Sequence, residues 1–565
     1  MLEVSTPTVR ADPRLAAEFR PRKVEPWLER LPRTDRDAGL GQLYKALSTQ
    51  NRVVLDPAVR LQLMELYQAP FRELLALHHS DLRPLSRAPL HPHYRLRQEE
   101  MLSMLDAMAN GYKVAAMDLA AGRRGHGRDA GLALALQRAM YCLGEVLVTA
   151  YELYVRPPGG TWGDVHELYR CAEDEDLCNL EVAALPGGTE PALILGTYVP
   201  ILLLGASSPH GLLPGEVRRL YELAPQWHRA ARISVPDAPP EEPGHFRFNL
   251  DIDAPPFPAS KSTRPLDGAS RILKTLGVAR AMHQVLTDLN DSAAPDVVPG
   301  LPGVDALPAD IELLRRAGRV FGEVDINRGS NRFPAHQEIE LHCGFDAVYF
   351  ACNGDRPFES AIPAKSGKEE LAAASDRPAE QFIDLSEPML GVPIDGDPDP
   401  IQTDLAVADR YLPLPARAVN ESAGGLCLVV LRDRDPRLKV GDIAACRAAG
   451  ADDWQVGVVR WLRVMAREVR FGLQFLGPQA VAVAARSRGD TLAAIWLPEN
   501  PALKLASAIV LPRAAEAYPP ELEMIRRDDG APERLRLLRR KERTGDYEHY
   551  LVSLDSSDSP IALSS

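Results

Sequence analysis

Two short polar motifs contain the residues best suited to chemistry. Arg328 and Arg332 stand four residues apart in the segment Arg-Gly-Ser-Asn-Arg, and Asn420, Ser422 and Gly425 form an Asn-x-Ser-x-x-Gly motif. Arginine makes paired hydrogen bonds to phosphate oxygens and to the O6/N7 edge of guanine, and its flat guanidinium stacks on bases. An amide and a hydroxyl at a turn can contact a further base edge, and glycine allows close backbone approach. These residue types suit a compact anion that carries phosphates and bases.

The elements that position these motifs follow from the hydrophobic period. Between residues 41 and 232 apolar residues recur at intervals of three and four, as at Leu132, Leu136 and Met140, which predicts helices. A plain helical bundle is the favoured interpretation. A tetratricopeptide-like scaffold is the alternative, because a single stretch at 162–169 is similar to the opening of such a repeat.

After residue 338 the period changes to two, which predicts short strands. The predicted strands are 338–343, 416–419, 426–430, 455–462 and 469–476, followed by 492–497, 507–511 and 547–554. The first five, with glycine-bearing turns between them, indicate an antiparallel barrel or sandwich. The later strands predict a small appended β subdomain, with a basic run at 534–543 inside it.

The ordered set of motifs resembles the PilZ family. It consists of Arg-x-x-x-Arg, Asn-x-Ser-x-x-Gly, a Val-Gly-Val-Val-Arg-Trp strand at 456–461 and a closing Phe-Gly-Leu-Gln-Phe-Leu strand at 471–476. In that family a six-stranded barrel binds the bacterial second messenger cyclic di-GMP. The resemblance covers residues 325–353 and 406–478, less than a quarter of the chain. It implies that Arg328 and Arg332 hold phosphate and guanine, and that Asn420, Ser422 and Gly425 form the base contact on the barrel face.

The chain departs from the family pattern in the distance between the two motifs. Arg332 and Asn420 are separated by 87 residues, and from Glu380 to Asp409 the chain has eight acidic residues and no Lys or Arg. We expect this acidic segment to be a solvated insertion, since loop-closure entropy rises slowly with length. If it covers the site, its carboxylates repel a dianion. Asn420 also replaces the aspartate that is common in the family.

Composition and charge exclude several classes of protein. The formal net charge of −13 argues against DNA or RNA polymers as partners. The apolar stretch 192–206 is too short to span a membrane. The N-terminus has no export signal pattern, and the seven Cys have no disulfide or zinc spacing, so we expect a reducing, cytoplasmic location. No phosphate-binding, nucleophile or metalloprotease motif is present, so we expect no enzyme, metal or cofactor.

These patterns predict an α+β multidomain chain with an all-α N-terminal domain, a PilZ-like six-stranded antiparallel barrel and a C-terminal β extension. The expected divisions are a flexible arm at 1–40, a helical domain at 41–232, a Pro-rich linker with a strand and a helix at 233–310, the barrel at 311–353 plus 406–485, the acidic insertion at 354–405 and the C-terminal subdomain at 486–565.

The predicted function is that of a cytoplasmic bacterial receptor for cyclic di-GMP. The Arg328–Arg332 loop is expected to become ordered over the ligand and to relay the signal to a downstream protein through the helical half. One alternative is a scaffold protein whose barrel no longer binds a ligand and whose helical half binds a partner protein. A weaker alternative is a hydrolase built on the histidine-rich region 78–93.

Overall fold

The structure is a computed structural model. It describes residues 2–8, 20–32, 35–82, 92–185, 191–237, 242–261, 263–291, 308–322, 332–358, 411–434, 436–477, 479–501, 505–526 and 532–554. Arg328 and residues 359–405 of the expected acidic insertion lie outside this described part. The chain divides into two compact units. The first comprises Met1–Asn331, Leu431–Val440 and Trp461–Phe471, and the second Arg332–Val430, Gly441–Arg460 and Gly472–Ser565.

The described helices are α1 (Pro21–Leu28), α2 (Arg36–Gln50), α3 (Pro57–Leu82), α4 (Pro92–Ala120), α5 (His126–Glu152), α6 (Thr161–Asp174), α7 (Ile194–Ala206), α8 (Glu216–Leu223), α9 (Leu276–Asp291), α10 (Pro308–Phe321) and α11 (Phe345–Cys352). All except α11 belong to the first unit. The predicted all-α N-terminal domain is confirmed.

Helix α5 is the central helix of this domain. Leu132, Leu136, Met140 and Leu147 on it have no solvent exposure, and α4, α6, α7 and α8 pack around it. A helix that is apolar on all sides must be surrounded by other elements. α5 is the one described helix that is long and apolar enough to cross a membrane, but 83% of its apolar window is buried inside the protein. Core helices have this same composition.

The stretch expected to be a flexible arm contains ordered elements. Leu2, Val24 and Leu28 are buried in the core of the helical domain, and α1 and the start of α2 fall before residue 41. The Ser5 hydroxyl donates to the Asp164 carboxylate at 2.6 Å. Buried leucine and valine side chains hold these segments against the domain, which the polar composition of the region did not predict.

The described strands are β1 (Glu181–Val182), β2 (Ala192–Leu193), β3 (Arg232–Ser234), β4 (His245–Asn249), β5 (Phe257–Pro258), β6 (Ser270–Lys274), β7 (Phe333–Pro334), β8 (Glu338–Cys343), β9 (Leu414–Ser422), β10 (Gly425–Leu431), β11 (Ile443–Ala448), β12 (Gln455–Val464), β13 (Glu468–Phe475), β14 (Val481–Ser487), β15 (Asp490–Leu497), β16 (Ala508–Pro512), β17 (Glu521–Ile525), β18 (Pro532–Arg543) and β19 (Tyr547–Leu554).

The Pro-rich region after the helical domain contains more than the expected strand and helix. β3, β6, β4 and β5 form a four-stranded sheet in that order. Phe246, Phe248 and Leu273 of this sheet are buried in the core of the helical domain. Helix α10 lies in the first unit rather than in the barrel, where the expected boundary at 311 places it. Its Asp310 carboxylate accepts a hydrogen bond from Arg219 at 2.8 Å, which attaches it to α8.

Six antiparallel strands form the predicted PilZ-like barrel. The order β10-β13-β12-β11-β8-β9 closes on itself because β9 also pairs with β10, and β7 continues the pairing of β8 with β9 toward the end of β9. Closure leaves the barrel strands without open edges. The prediction of a helical domain followed by a six-stranded barrel is confirmed. Strand β11 carries the alanine-rich sequence Ile-Ala-Ala-Cys-Arg-Ala and has no clear alternation, so the sequence analysis missed it.

The C-terminal β extension is a second closed barrel of six strands, in the order β14-β15-β16-β19-β18-β17. Numbered one to six along the chain, both barrels have the cyclic order 1-2-3-6-5-4, because β8 pairs with β11 and β14 with β17. The second barrel therefore repeats the topology of the first. The basic run 534–543, expected to lie between strands, forms most of β18 itself.

Helix α11 joins the two barrels and holds both ends of the insertion. Phe345 and Val348 belong to one apolar core together with Val456 of the first barrel and Ile495 of the second. The Phe350 ring stacks on Tyr411 with ring centroids 4.5 Å apart, and Tyr349 meets Phe358 edge to face at 5.5 Å. The chain thus enters the undescribed segment and leaves it at the same helix.

Candidate ligand site on the first barrel

The Asn-x-Ser-x-x-Gly motif forms the hairpin between β9 and β10. Ser422 pairs with Gly425, and Asn420 pairs with Cys427 across the two strands. The Ser422 hydroxyl donates to the Gly425 carbonyl oxygen at 3.2 Å, which closes the turn. Ala423 and Gly424 at its tip are exposed. The motif therefore builds a tight, accessible turn at one end of the barrel, as the resemblance to PilZ domains implies.

A β-bulge sets the direction in which Asn420 faces. Cys427 pairs with Asn420, but the next residue, Leu428, pairs with Ala418, so Val419 is an additional residue on β9. Facing residues in an antiparallel pair share one side of the sheet, and an additional residue reverses the alternation. Ala418 is fully buried, whereas Asn420 is partly exposed. The bulge thus turns the motif from the barrel interior to its outer side.

The short strand β7 brings the end of the arginine motif to this turn. Phe333 pairs with Glu421, Pro334 pairs with Asn420, and the Ala335 backbone amide donates to the Val419 carbonyl at 3.1 Å. Continued by one residue, this register sets Arg332 beside Ser422. Arg332 is exposed. The pairing of β7 with β9 therefore brings the end of the arginine motif to the hairpin although 87 residues separate Arg332 from Asn420, and Arg328 lies outside the described residues.

The acidic residue within the motif faces away from its polar partners. Glu421 stands opposite both Phe333 and Leu426 in the two ladders. Because alternate residues on a strand point to opposite sides, its carboxylate lies on the other side of the hairpin from Asn420 and Ser422. The side that carries the amide, the hydroxyl and Arg332 is therefore not neutralised by Glu421, which favours an anionic ligand there.

Gly425 is required by the barrel itself. A Cβ atom at this position would lie 2.1 Å from the Leu473 carbonyl oxygen of β13. The Phe475 backbone amide donates to the Gly424 carbonyl at 3.0 Å, so the turn is tied directly to β13. The sequence analysis assigned Gly425 to close approach of a ligand. The close approach that the structure shows is that of the neighbouring strand.

A polar network that the sequence analysis missed lies two strands from the turn. On β12, Arg460 donates to the Gln474 side chain of β13 at 2.7 Å and to the Glu542 carboxylate of β18 at 3.0 Å. Burial alone lowers the pKa of Arg460, but the Glu542 carboxylate more than offsets this and holds the pKa above its usual value. The arginine of the Val-Gly-Val-Val-Arg-Trp strand thus joins the two barrels. No local sequence signal pairs it with Glu542.

The described part of the chain was also compared with two other kinds of site, a metal centre and the histidine-rich region 78–93. There, no three His, Cys, Asp or Glu side chains are grouped so that they could hold a metal ion. His78 is buried, and its Nε2 lies 3.1 Å from the Gln98 side-chain oxygen. This contact links α3 to α4. Residues 83–91 of the histidine-rich region lie outside the described residues.

Comparison with known proteins agrees with this architecture. A family model described as the N-terminal domain of the cyclic-di-GMP receptor FimW matches residues 22–240, and one described as the middle PilZ domain of that receptor matches residues 394–481. The cyclic-di-GMP receptor FimW of Pseudomonas aeruginosa is 24% identical over 536 residues, which cover 87% of this chain and 84% of that protein. The PilZ match includes Asn420, Ser422 and Gly425 but not the two arginines. The chain is therefore a member of the PilZ-domain family in which a helical domain precedes the PilZ barrel.

Proposed function

We propose that this protein is a cytoplasmic bacterial receptor that binds cyclic di-GMP at the β9–β10 hairpin. The observation that carries the proposal is the register of β7 on β9, which pairs Phe333 and Pro334 with Glu421 and Asn420 and so leads the chain from Arg332 directly to the hairpin. The similarity to a protein named as a cyclic-di-GMP receptor supports the same ligand. The ligand has two phosphates and two guanines, which are the groups that arginine and a side-chain amide recognise.

Each residue has a distinct role in this proposal. Arg332 and Arg328 hold a phosphate and stack on or pair with a guanine, because a guanidinium can do both. Asn420 accepts from and donates to a guanine edge. Ser422 already donates its hydroxyl hydrogen to Gly425, so it offers the ligand its oxygen lone pairs. Gly425 keeps the turn against β13 and so holds Asn420 and Ser422 in position.

Titration calorimetry of the full chain with cyclic di-GMP tests the proposal. Arg332→Ala, Arg328→Ala and Asn420→Ala should each weaken binding about tenfold to a hundredfold, because each removes hydrogen bonds to the ligand. Arg488→Ala is the matched control, since Arg488 is exposed on the second barrel, where it pairs with the exposed Glu516 and donates to the Ala517 carbonyl oxygen. If the wild-type protein gives no binding heat, the receptor assignment is wrong.

The finer part of the proposal is a relay from the barrel to a partner protein through the helical domain. We propose that the partner binds the helical domain and that binding depends on the nucleotide. Affinity capture with and without cyclic di-GMP tests this, and capture that changes with the nucleotide supports it. The cytoplasmic location is supported by the seven cysteines, among which the structure shows no disulfide in the part of the chain that it describes. We also propose no turnover of the ligand, which chromatography after incubation would detect.

A ligand-free scaffold is the second candidate. Its supporting observation is that the two arginines lie outside the segment matched by the PilZ model, 394–481, and far along the chain from Asn420. A scaffold of this kind captures its partner equally with and without nucleotide and gives no calorimetric signal. The two measurements above therefore separate the receptor from the scaffold.

A further inference from the structure

The second barrel lacks the ligand motif of the first. The hairpin of the first barrel that carries Asn-x-Ser-x-x-Gly connects its second and third strands, and the corresponding connection in the second barrel joins β15 to β16. The residues in that connection, 498–507, read Pro-Glu-Asn-Pro-Ala-Leu-Lys-Leu-Ala-Ser and contain no such motif. Repeated topology thus supplies a second scaffold without a second nucleotide site.

The second barrel instead carries a row of positive charge on β18. Arg534, Arg536, Arg539, Arg540 and Lys541 are all exposed, and Leu538 among them is 60% exposed. Arg540 lies 3.7 Å from the buried Glu548 carboxylate, so its charge is partly compensated. Within the described part of the chain, Arg539 and Lys541 have no ion-pair partner.

The surroundings of this row differ along its length. Arg534 and Arg536 stand opposite Glu523 and Glu521 of β17, whose carboxylates reduce the positive potential there. The pairing with β17 stops at Arg536, so residues 538–541 have no strand on that side in the part of the chain that the structure describes. The end without a facing carboxylate on β17 is therefore Leu538, Arg539, Arg540 and Lys541, which we name the basic row.

We propose that the basic row is a docking surface for an extended acidic segment of a partner protein. Arg539 and Arg540 stand opposite Leu551 and Tyr550 and so point to opposite sides of β18, and Leu538 and Lys541 are additional residues at two register shifts. An acidic segment that lies along this open edge can therefore reach cations on both of its sides. Screening limits the attraction to about 8–10 Å, so the row acts locally despite the net charge of −13. Leu538 adds an exposed apolar contact at the start of the row.

The distribution of acidic residues beside the basic row favours a protein segment over an anionic membrane as the partner. A flat bilayer would bring negative charge against Glu521, Glu523 and Glu533 beside the row, whereas a single extended chain avoids them. The proposal does not depend on cyclic di-GMP binding, since β18 is not part of the nucleotide site. A structural alternative is that the cations only protect an open strand edge from aggregation.

The test uses the full chain and a fluorescent peptide of alternating glutamate and serine, long enough to span β18, with a lysine–serine peptide as the probe control. Anisotropy should show binding of the acidic peptide that weakens with salt. Arg539→Glu with Lys541→Glu should lower the affinity about tenfold or more. Arg539→Lys with Lys541→Arg should retain it. Lys261→Glu with Arg280→Glu makes the same charge change at exposed residues of the first unit and should have no effect.

Melting temperatures of all variants show whether the barrel remains folded, and cyclic di-GMP binding should not change between them. Equal peptide affinity in the wild type and the reversed variant overturns the proposal. Phosphatidylglycerol vesicles are the probe for a membrane. If the wild type binds these vesicles but not the acidic peptide, and the reversed variant loses vesicle binding, the proposal is overturned in favour of a membrane surface. Self-association of the reversed variant, with no peptide binding by the wild type, overturns it in favour of edge protection.

Discussion

Asn420 and Ala418 lie two residues apart on β9 but face opposite sides of the barrel wall, because Val419 is an additional residue in that strand. Regular alternation would put both side chains in the barrel interior. The bulge therefore turns Asn420 to the outer side at the end of β9, where the candidate ligand site lies.

Deletion of Val419 should make the pairing regular without reversing Asn420, because Ala418 and Asn420 become neighbours that still stand opposite Leu428 and Cys427. The deletion removes the carbonyl that accepts from the Ala335 amide and attaches β7 to β9. We expect the free energy of unfolding to fall by about 0.5–1.5 kcal/mol and cyclic di-GMP binding to weaken about tenfold, since β7 follows directly after Arg332. Calorimetry and denaturant unfolding measure the two effects. The control is Val419→Ala, which keeps the carbonyl and should keep binding. A deletion variant that binds as tightly as the wild type would show that this attachment of β7 does not support the site.

Gly425→Ala should destabilise the barrel. The new Cβ would lie 2.1 Å from the Leu473 carbonyl oxygen, which belongs to the backbone of β13 and cannot move away easily. Overpacking of this kind costs about 1–3 kcal/mol. Gly424→Ala is the matched control, since no atom lies within 4 Å of a Cβ at that position. Thermal unfolding compares the two, and an equal melting temperature for both variants would contradict the packing role.

The pair Arg460 and Glu542 should couple the stabilities of the two barrels. Arg460→Met and Glu542→Gln each remove charge-assisted hydrogen bonds between β12 and β18. In a double-mutant cycle we expect an interaction free energy of about 0.5–2 kcal/mol, reduced by the partial exposure of the arginine. Strictly additive effects in denaturant unfolding would mean that this bridge does not join the barrels energetically.

The helical domain should lose stability in mild acid through His166. Its Nε2 lies 3.0 Å from the Ala254 carbonyl oxygen, so Nε2 carries the proton and Nδ1 accepts from the Tyr198 hydroxyl at 2.8 Å. Burial lowers the pKa of His166 to about 4. The unfolded chain therefore binds the proton first, and stability present above pH 6.5 is lost as the pH falls towards 4.

We expect His166 to contribute about 3 kcal/mol to this loss between pH 6.5 and pH 4. Denaturant unfolding at several pH values measures it. His166→Gln can keep two hydrogen bonds but does not titrate, so its stability should fall less over the same range. His210 and His549, whose pKa values burial also lowers to about 4, remain in the variant as a background. An unchanged slope in the variant would exclude His166 as the source.

Replacement of residues 359–410 by a short linker should leave the first barrel folded. Both ends of that segment contact α11, through Tyr411 on Phe350 and Phe358 on Tyr349. Shortening the connection between Phe358 and Tyr411 from 52 residues to a few should stabilise the chain by about 2 kcal/mol, because the entropy cost of closing a connection rises with its length. Thermal unfolding tests this. Cyclic di-GMP affinity is measured on the same variant at low salt. A higher affinity than that of the wild type would show that the acidic residues weaken binding.

Local sequence was sufficient to predict the helices and strands that have a clear hydrophobic period. The three-to-four spacing around Leu136 and Met140 predicted α5, and the alternation at 338–343 and 455–462 predicted β8 and β12. The order of the motifs along the chain, through its resemblance to PilZ domains, predicted Arg332, Asn420 and Ser422 as one set, which residue types alone could not do because Arg-x-x-x-Arg recurs elsewhere in the sequence. Weakly alternating strands such as β11 were missed, since alanine does not distinguish one face from the other.

Only the tertiary structure decided features that depend on pairing between distant segments. The bulge at Val419, the approach of Gly425 to Leu473, the bridge from Arg460 to Glu542 and the closure of residues 486–554 into a second barrel all require a strand register that no local pattern encodes. Register follows from which side chains fill a shared core, and that is a property of the folded chain as a whole.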